Sequence, residues 1–160
     1  MIPEKTIDHI IAQFEEGAID YEQAVRDLGG RQPAVLSFLM ADQEGALTDD
    51  ERDFMLYLAV VIHRAVEAAG EEPLKASPED VAEAEENNWA KMNQAKGRTF
   101  REQLDAFFKD TPQEDLLAFI EDSLTPDEED KTLRVTKEGQ EPMFVALKTV
   151  VDVLVQSSVF

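Results

Sequence analysis

The chain has 160 residues, no cysteine, and 35 acidic against 15 basic side chains, a formal net charge of −20. Without cysteine there are no disulfides and no thiolate metal sites. The charge repels nucleic-acid phosphates and anionic membranes, and it favours basic partners where it does not simply serve solubility. A hydrophobic content of 43% suits one globular domain with a true core rather than disorder.

The charge is spread along the chain, with 18 acidic and 6 basic residues in 1–80 and 17 and 9 in 81–160. The opening MIPEKTIDHII has no basic segment leading into an apolar one, so no signal peptide is read there. The longest apolar run, Phe54–Ile62, is far short of a membrane span. The expectation is a cytoplasmic protein with no membrane and no nucleic-acid partner.

In chain order, Ile7, Ile10, Ile11 and Phe14 recur at helical spacing and predict a first helix over 4–16, closed by Gly17. Asp20 can cap a second, Tyr21 to Leu28, with Tyr21, Ala24, Val25 and Leu28 facing inward and Gly29-Gly30 breaking it. Pro33 opens a third that carries Val35, Leu36, Phe38, Leu39 and Met40 and ends at Gly45.

Thr48 with Glu51 three residues on reads as a capping box, and Asp49, Asp50 and Glu51 suit the positive end of a helix dipole. The helix to Gly70 is apolar on all sides from Phe54 to Ile62, so other helices must cover it. Residues 71–77, with Pro73 and Pro78 close by, read as a hinge.

Ser77-Pro78-Glu79-Asp80 starts a fifth helix, weakly amphipathic and running to about Lys96. Thr99 with Glu102, Thr111-Pro112 with Glu114, and Thr125-Pro126 with Glu128 read as further starts. The last helix is expected from Pro142, carrying Met143, Phe144, Leu147, Val150, Val151 and Leu154. Leu133-Arg134-Val135-Thr136 is the lone strand-like stretch. The expected fold is an all-α, single-domain orthogonal bundle of seven or eight helices around a buried central helix. Residues 1–70 and 77–160 are its two sub-bundles.

No catalytic motif stands out, and no cofactor is expected. In the loop 40–51, MADQEGALTDDE, the residues Asp42, Glu44, Gly45, Leu47, Thr48 and Glu51 fall at the third, fifth, sixth, eighth, ninth and twelfth places of a twelve-residue loop between helices. This loop resembles that of EF-hand calcium-binding proteins, which would make Asp42, Glu44 and Glu51 metal ligands. Met40 departs from the pattern at the first position and offers no hard oxygen. A glycine stop followed by a capping box explains the same residues.

His63 and Glu67 lie one helical turn apart and form a second candidate metal or proton site; the plain alternative is a partly buried histidine hydrogen-bonded to Glu67. Residues 87–101 contain no acid and bear Lys91, Lys96, Arg98 and Arg101, a cationic patch expected to dock against the acidic N-terminal half. The apolar tail Val150–Phe160 is expected to dock on the core or to supply a homodimer contact through the C-terminal helix.

The leading functional expectation is a non-enzymatic, acidic interaction or regulatory module for a basic protein partner. The alternatives are a small metal-dependent enzyme using His63 and neighbouring carboxylates, a degenerate EF-hand-like protein, a nucleic-acid mimic, or a helical bundle with an apolar ligand cavity beside Phe54–Ile62.

Overall fold

In the computed structural model the described residues are 2–41, 47–70, 73, 75–95, 97, 99–125 and 135–156, and they form eight helices and no strand. The helices are α1 (Glu4–Glu15), α2 (Tyr21–Arg31), α3 (Pro33–Met40), α4 (Asp49–Ala68), α5 (Pro78–Gln94), α6 (Phe100–Asp110), α7 (Glu114–Leu124) and α8 (Lys137–Gln156).

α4 is built as its sequence demands. Thr48 Oγ1 accepts from Glu51 N, and Glu51 Oε1 accepts from Thr48 N at 2.8 Å, completing the capping box. Of the stretch expected to be covered on all sides, Met55 and Leu58–Ile62 are buried, as is His63. Phe54, Leu56 and Tyr57 are only partly so, because α1, α2, α3 and α8 leave part of the helix's first half open. A side chain such as Leu58 or Ile62 contributes about 1.5–3 kcal/mol when taken out of water there.

α8 is the second long rod at the centre, packed against α4, α5 and α7 and buried continuously from Met143 to Val151. Val153 and Leu154 are buried as well, so the apolar end of the chain as far as Leu154 covers its own core. Residues 157–160 lie outside the described residues. The two sets of helices share a hydrophobic cluster, with α1 against α7, α3 against α5 and α4 against α8.

Several boundaries differ from the sequence reading. α2 runs through Gly29-Gly30 to Arg31, and Leu36 of α3 packs against the bare backbone of Gly29. The break falls instead at Gln32, pushed out of the helical region by the following Pro33. α3 stops at Met40, short of Gly45. α7 starts at Glu114 rather than at a Thr111 cap, and Thr111 Oγ1 instead accepts from Gln113 N in the preceding turn. Thr125 ends α7, and the expected start at Thr125-Pro126 runs into residues 126–134, outside the described residues.

The largest difference is at α8, which begins at Lys137 and carries Pro142 in its interior. Thr136 caps this start through Oγ1, which accepts from Gly139 N at 3.1 Å. Glu51, reaching across from α4, accepts from Thr136 N at 2.8 Å and from Thr136 Oγ1 at 3.0 Å. One carboxylate therefore anchors the first turns of both long helices, and Gly139 is glycine because a Cβ there would overlap it. These bonds and the buried face from Met143 onward outweigh the backbone hydrogen bond that Pro142 gives up.

Glu51→Ala should lower the unfolding free energy by roughly 2–4 kcal/mol, from two weakened caps and stranded backbone donors. Gly139→Ala should be destabilising through the same contact. Urea denaturation checks both, and a loss below about 0.5 kcal/mol in Glu51→Ala would contradict the anchoring role.

Candidate functional site

Glu51 is 1% exposed, with both carboxylate oxygens engaged by Thr48 and Thr136. Burial works to raise its pKa, but the hydrogen bonds from Thr48 and Thr136 outweigh it and hold the carboxyl below its usual value. This is the arrangement of a capping residue. Of its proposed calcium-loop companions, Asp42 and Glu44 lie outside the described residues.

His63 and Glu67 stand on the inner side of a cleft of about 470 Å³ lined also by Arg31, Gln32, Pro73 and Lys75. The imidazole is 1% exposed, so it is fully rather than partly buried. Its Nδ1 lies 3.3 Å from Glu67 Oε1 without forming a hydrogen bond, while Arg31 from α2 pairs with the other oxygen of that carboxylate, Oε2. Beside it Arg64 pairs with Asp27 at 3.2 Å. Burial, then the nearby Arg31 and Arg64 charges, push the His63 pKa down to about 4, with Asp27 opposing weakly. Among the described residues no group of three or more histidine or acidic side chains is placed to share a metal ion.

Two cations of the acid-free segment have contacts within the C-terminal half. Lys91 Nζ sits 5.5 Å from the Phe107 ring centroid, and Arg101 Nε pairs with Glu121 of α7 at 2.7 Å. Lys96 and Arg98 lie outside the described residues.

Sequence reasoning missed a set of buried polar groups. Asn88 of α5 donates to Thr149 Oγ1 at 3.2 Å and to Asp152 Oδ2 at 3.0 Å, and Lys148 pairs with Asp152. Gln32 Oε1 accepts from Ala76 N, and Gln113 Oε1 from Ile2 N. Each satisfies a backbone or side-chain group that burial would otherwise strand.

Beside the 54–62 stretch, where an apolar cavity is one of the expected alternatives, an open groove of about 890 Å³ lies against Leu56 and Tyr57, at the corner where α1 turns into α2. It is rimmed by acid rather than purely apolar. Gly17, with φ of 76°, and Ile19 and Asp20 form the turn, while Phe14 lies in the last turn of α1 and Tyr21 opens α2. The Phe14, Tyr21 and Tyr57 ring centroids lie 5.8 to 6.3 Å apart, mutually inclined. Tyr21, assigned to an inner face by its spacing, is 36% exposed. Asp20 and Asp53 line the same groove. Burial first, and then Asp53 and Tyr57, raise the Tyr21 pKa; burial and Glu15 raise that of Tyr57.

No family model, curated protein or solved structure compared with the chain matches it. Among the described residues no helix is long and apolar enough to cross a membrane.

The His63 pKa has a defined consequence for stability. The unfolded chain takes up the proton near pH 6.5 and the folded chain only near pH 4, so stability is complete above pH 6.5 and falls through that window by about 3 kcal/mol. Glu51, with its pKa lowered, contributes stability that is present above the ordinary carboxyl range and lost in more acidic solution. From pH 7 to pH 4.5 the urea midpoint of the parent chain should therefore fall relative to that of His63→Leu. A constant separation would contradict the burial of a neutral imidazole.

Proposed function

We propose that this chain is a non-enzymatic interaction module that binds the basic surface of another protein. The observation that carries the reading is the one-sided exposure of charge. Among the described residues eighteen carboxylates are exposed but only six basic side chains, and two of those six, Arg31 and Arg101, pair with Glu67 and Glu121. A surface of that sign speeds encounter with a cationic partner and repels polyanions such as nucleic acid.

His63 supports the same reading. A general acid–base histidine works best with its pKa near the operating pH, whereas this one stays neutral and only weakly basic. The rival, a metal-dependent enzyme, has in its favour the proximity of His63 to Glu67. Against it, Arg31 already neutralises that carboxylate through Oε2, and among the described residues no third histidine or acidic side chain is placed to share a metal ion with the pair.

Titration of a lysine- and arginine-rich peptide into the protein, and into polyglutamate of equal net charge, tests the proposal. The protein should bind about tenfold tighter than the polymer, with affinity falling as salt rises. Equal affinities would reduce the binding to net charge alone and overturn the reading.

A further inference from the structure

The groove at the α1–α2 corner combines two features that a merely solvated acidic face lacks. Its walls are apolar and aromatic, from Phe14, Ile19, Leu56, Tyr21 and Tyr57, and its rim carries Asp20 and Asp53. Among the described residues no basic side chain forms an ion pair with Asp20, Asp53 or Glu15. Asp53 and Tyr57 are one turn apart on α4, so carboxylate and ring project from one face. The three rings pack edge-on or tilted against one another, so a cation resting on the open side of the cluster, where Tyr21 is exposed, comes within the reach of a cation–π contact, about 6 Å.

From this geometry we infer that the groove seats an arginine side chain of a basic partner protein, with the guanidinium against the Phe14, Tyr21 and Tyr57 rings and held by Asp53 and Asp20. The inference rests on the function proposed above and names the contact that would give it specificity. Arginine fits better than lysine on chemical grounds. Its planar head stacks on aromatic faces, sheds water more readily than an ammonium, and presents paired donors to a carboxylate. Its three-carbon stem suits the apolar wall of Leu56 and Ile19. The Gly17 turn and the Asp20 cap, whose Oδ1 accepts from Glu22 N at 3.1 Å, fix the start of α2 and so hold Tyr21 in place without a ligand.

The test uses the full chain and three lysine/serine peptides identical except at one central position, which carries arginine, lysine or citrulline, the last a neutral isostere of arginine. The arginine peptide should bind about tenfold more tightly than the citrulline peptide and should shift the ring resonances of Phe14, Tyr21 and Tyr57. Tyr21→Leu/Tyr57→Leu should abolish that ratio. Should this double variant fail to fold, Asp53→Asn, which leaves all three rings in place, should reduce the ratio at an unchanged melting temperature.

Arginine and citrulline peptides that bind equally, with unmoved ring resonances, would overturn the groove assignment while leaving the basic-partner reading intact. Lysine matching arginine would overturn the choice of arginine. Absence of binding by all three peptides would remove both proposals.

Discussion

A single buried carboxylate, that of Glu51, sets how the two long rods of this bundle meet. It accepts from Thr48 at the start of α4 and from Thr136 at the start of α8, the latter 85 residues from Glu51 in the chain. A charge this deeply buried is tolerable only because several donors converge on it. In return it satisfies backbone N–H groups that the first turn of each helix leaves open. Once both starts are fixed, the faces of α4 and α8 are brought into register, and the shorter helices cover what the pair leaves exposed. Gly139 belongs to the same constraint, since only a residue without Cβ lets α8 approach the carboxylate closely.

The interior and exterior divide their electrostatics differently. Inside, polar groups are neutralised or paired: His63 stays uncharged among Arg31, Arg64, Asp27 and Glu67, and Lys148 lies against Asp152 beneath Asn88. Outside, carboxylates dominate, and many of them sit in first turns, as at Asp49, Glu79, Glu102 and Glu114, where the helix dipole favours them. Much of the acidity is therefore consistent with helix building. The α1–α2 corner is different, because there the carboxylates flank apolar rings that the bundle leaves partly open. Among the described residues this aromatic, acid-rimmed opening is the feature on which the proposed binding of a cationic segment rests.

What could be read from sequence divides along the range of the interactions. The caps at Thr48, Ser77 and Thr99 are local, three residues from cap to partner, and each forms as its spacing implies. Burial of Leu58–Ile62 likewise follows from an apolar surface on every side of one helix. The start of α8 was hidden because the group that completes its cap, Glu51, comes from another helix, and Pro142 looked like a beginning when read alone. Gly29-Gly30 looked like a break because its packing reason, Leu36, lies on the next helix. Asn88, Gln32 and Gln113 look like surface residues until their partners at Thr149, Ala76 and Ile2 are known. A cavity beside Phe54–Ile62 could be suggested from the apolar run, but not the make-up of this groove, because three separate helices supply its rings and none marks them alone.

Native-state amide hydrogen exchange, resolved by residue, tests the joint between the two rods most directly. The Thr136 amide precedes α8 and would exchange freely unless Glu51 holds it. It should be protected nearly as strongly as core amides such as Val61 and Leu147, opening only when the whole bundle unfolds. A Thr136 amide that exchanges at the rate of an exposed N–H, while Val61 and Leu147 stay protected, would contradict the account.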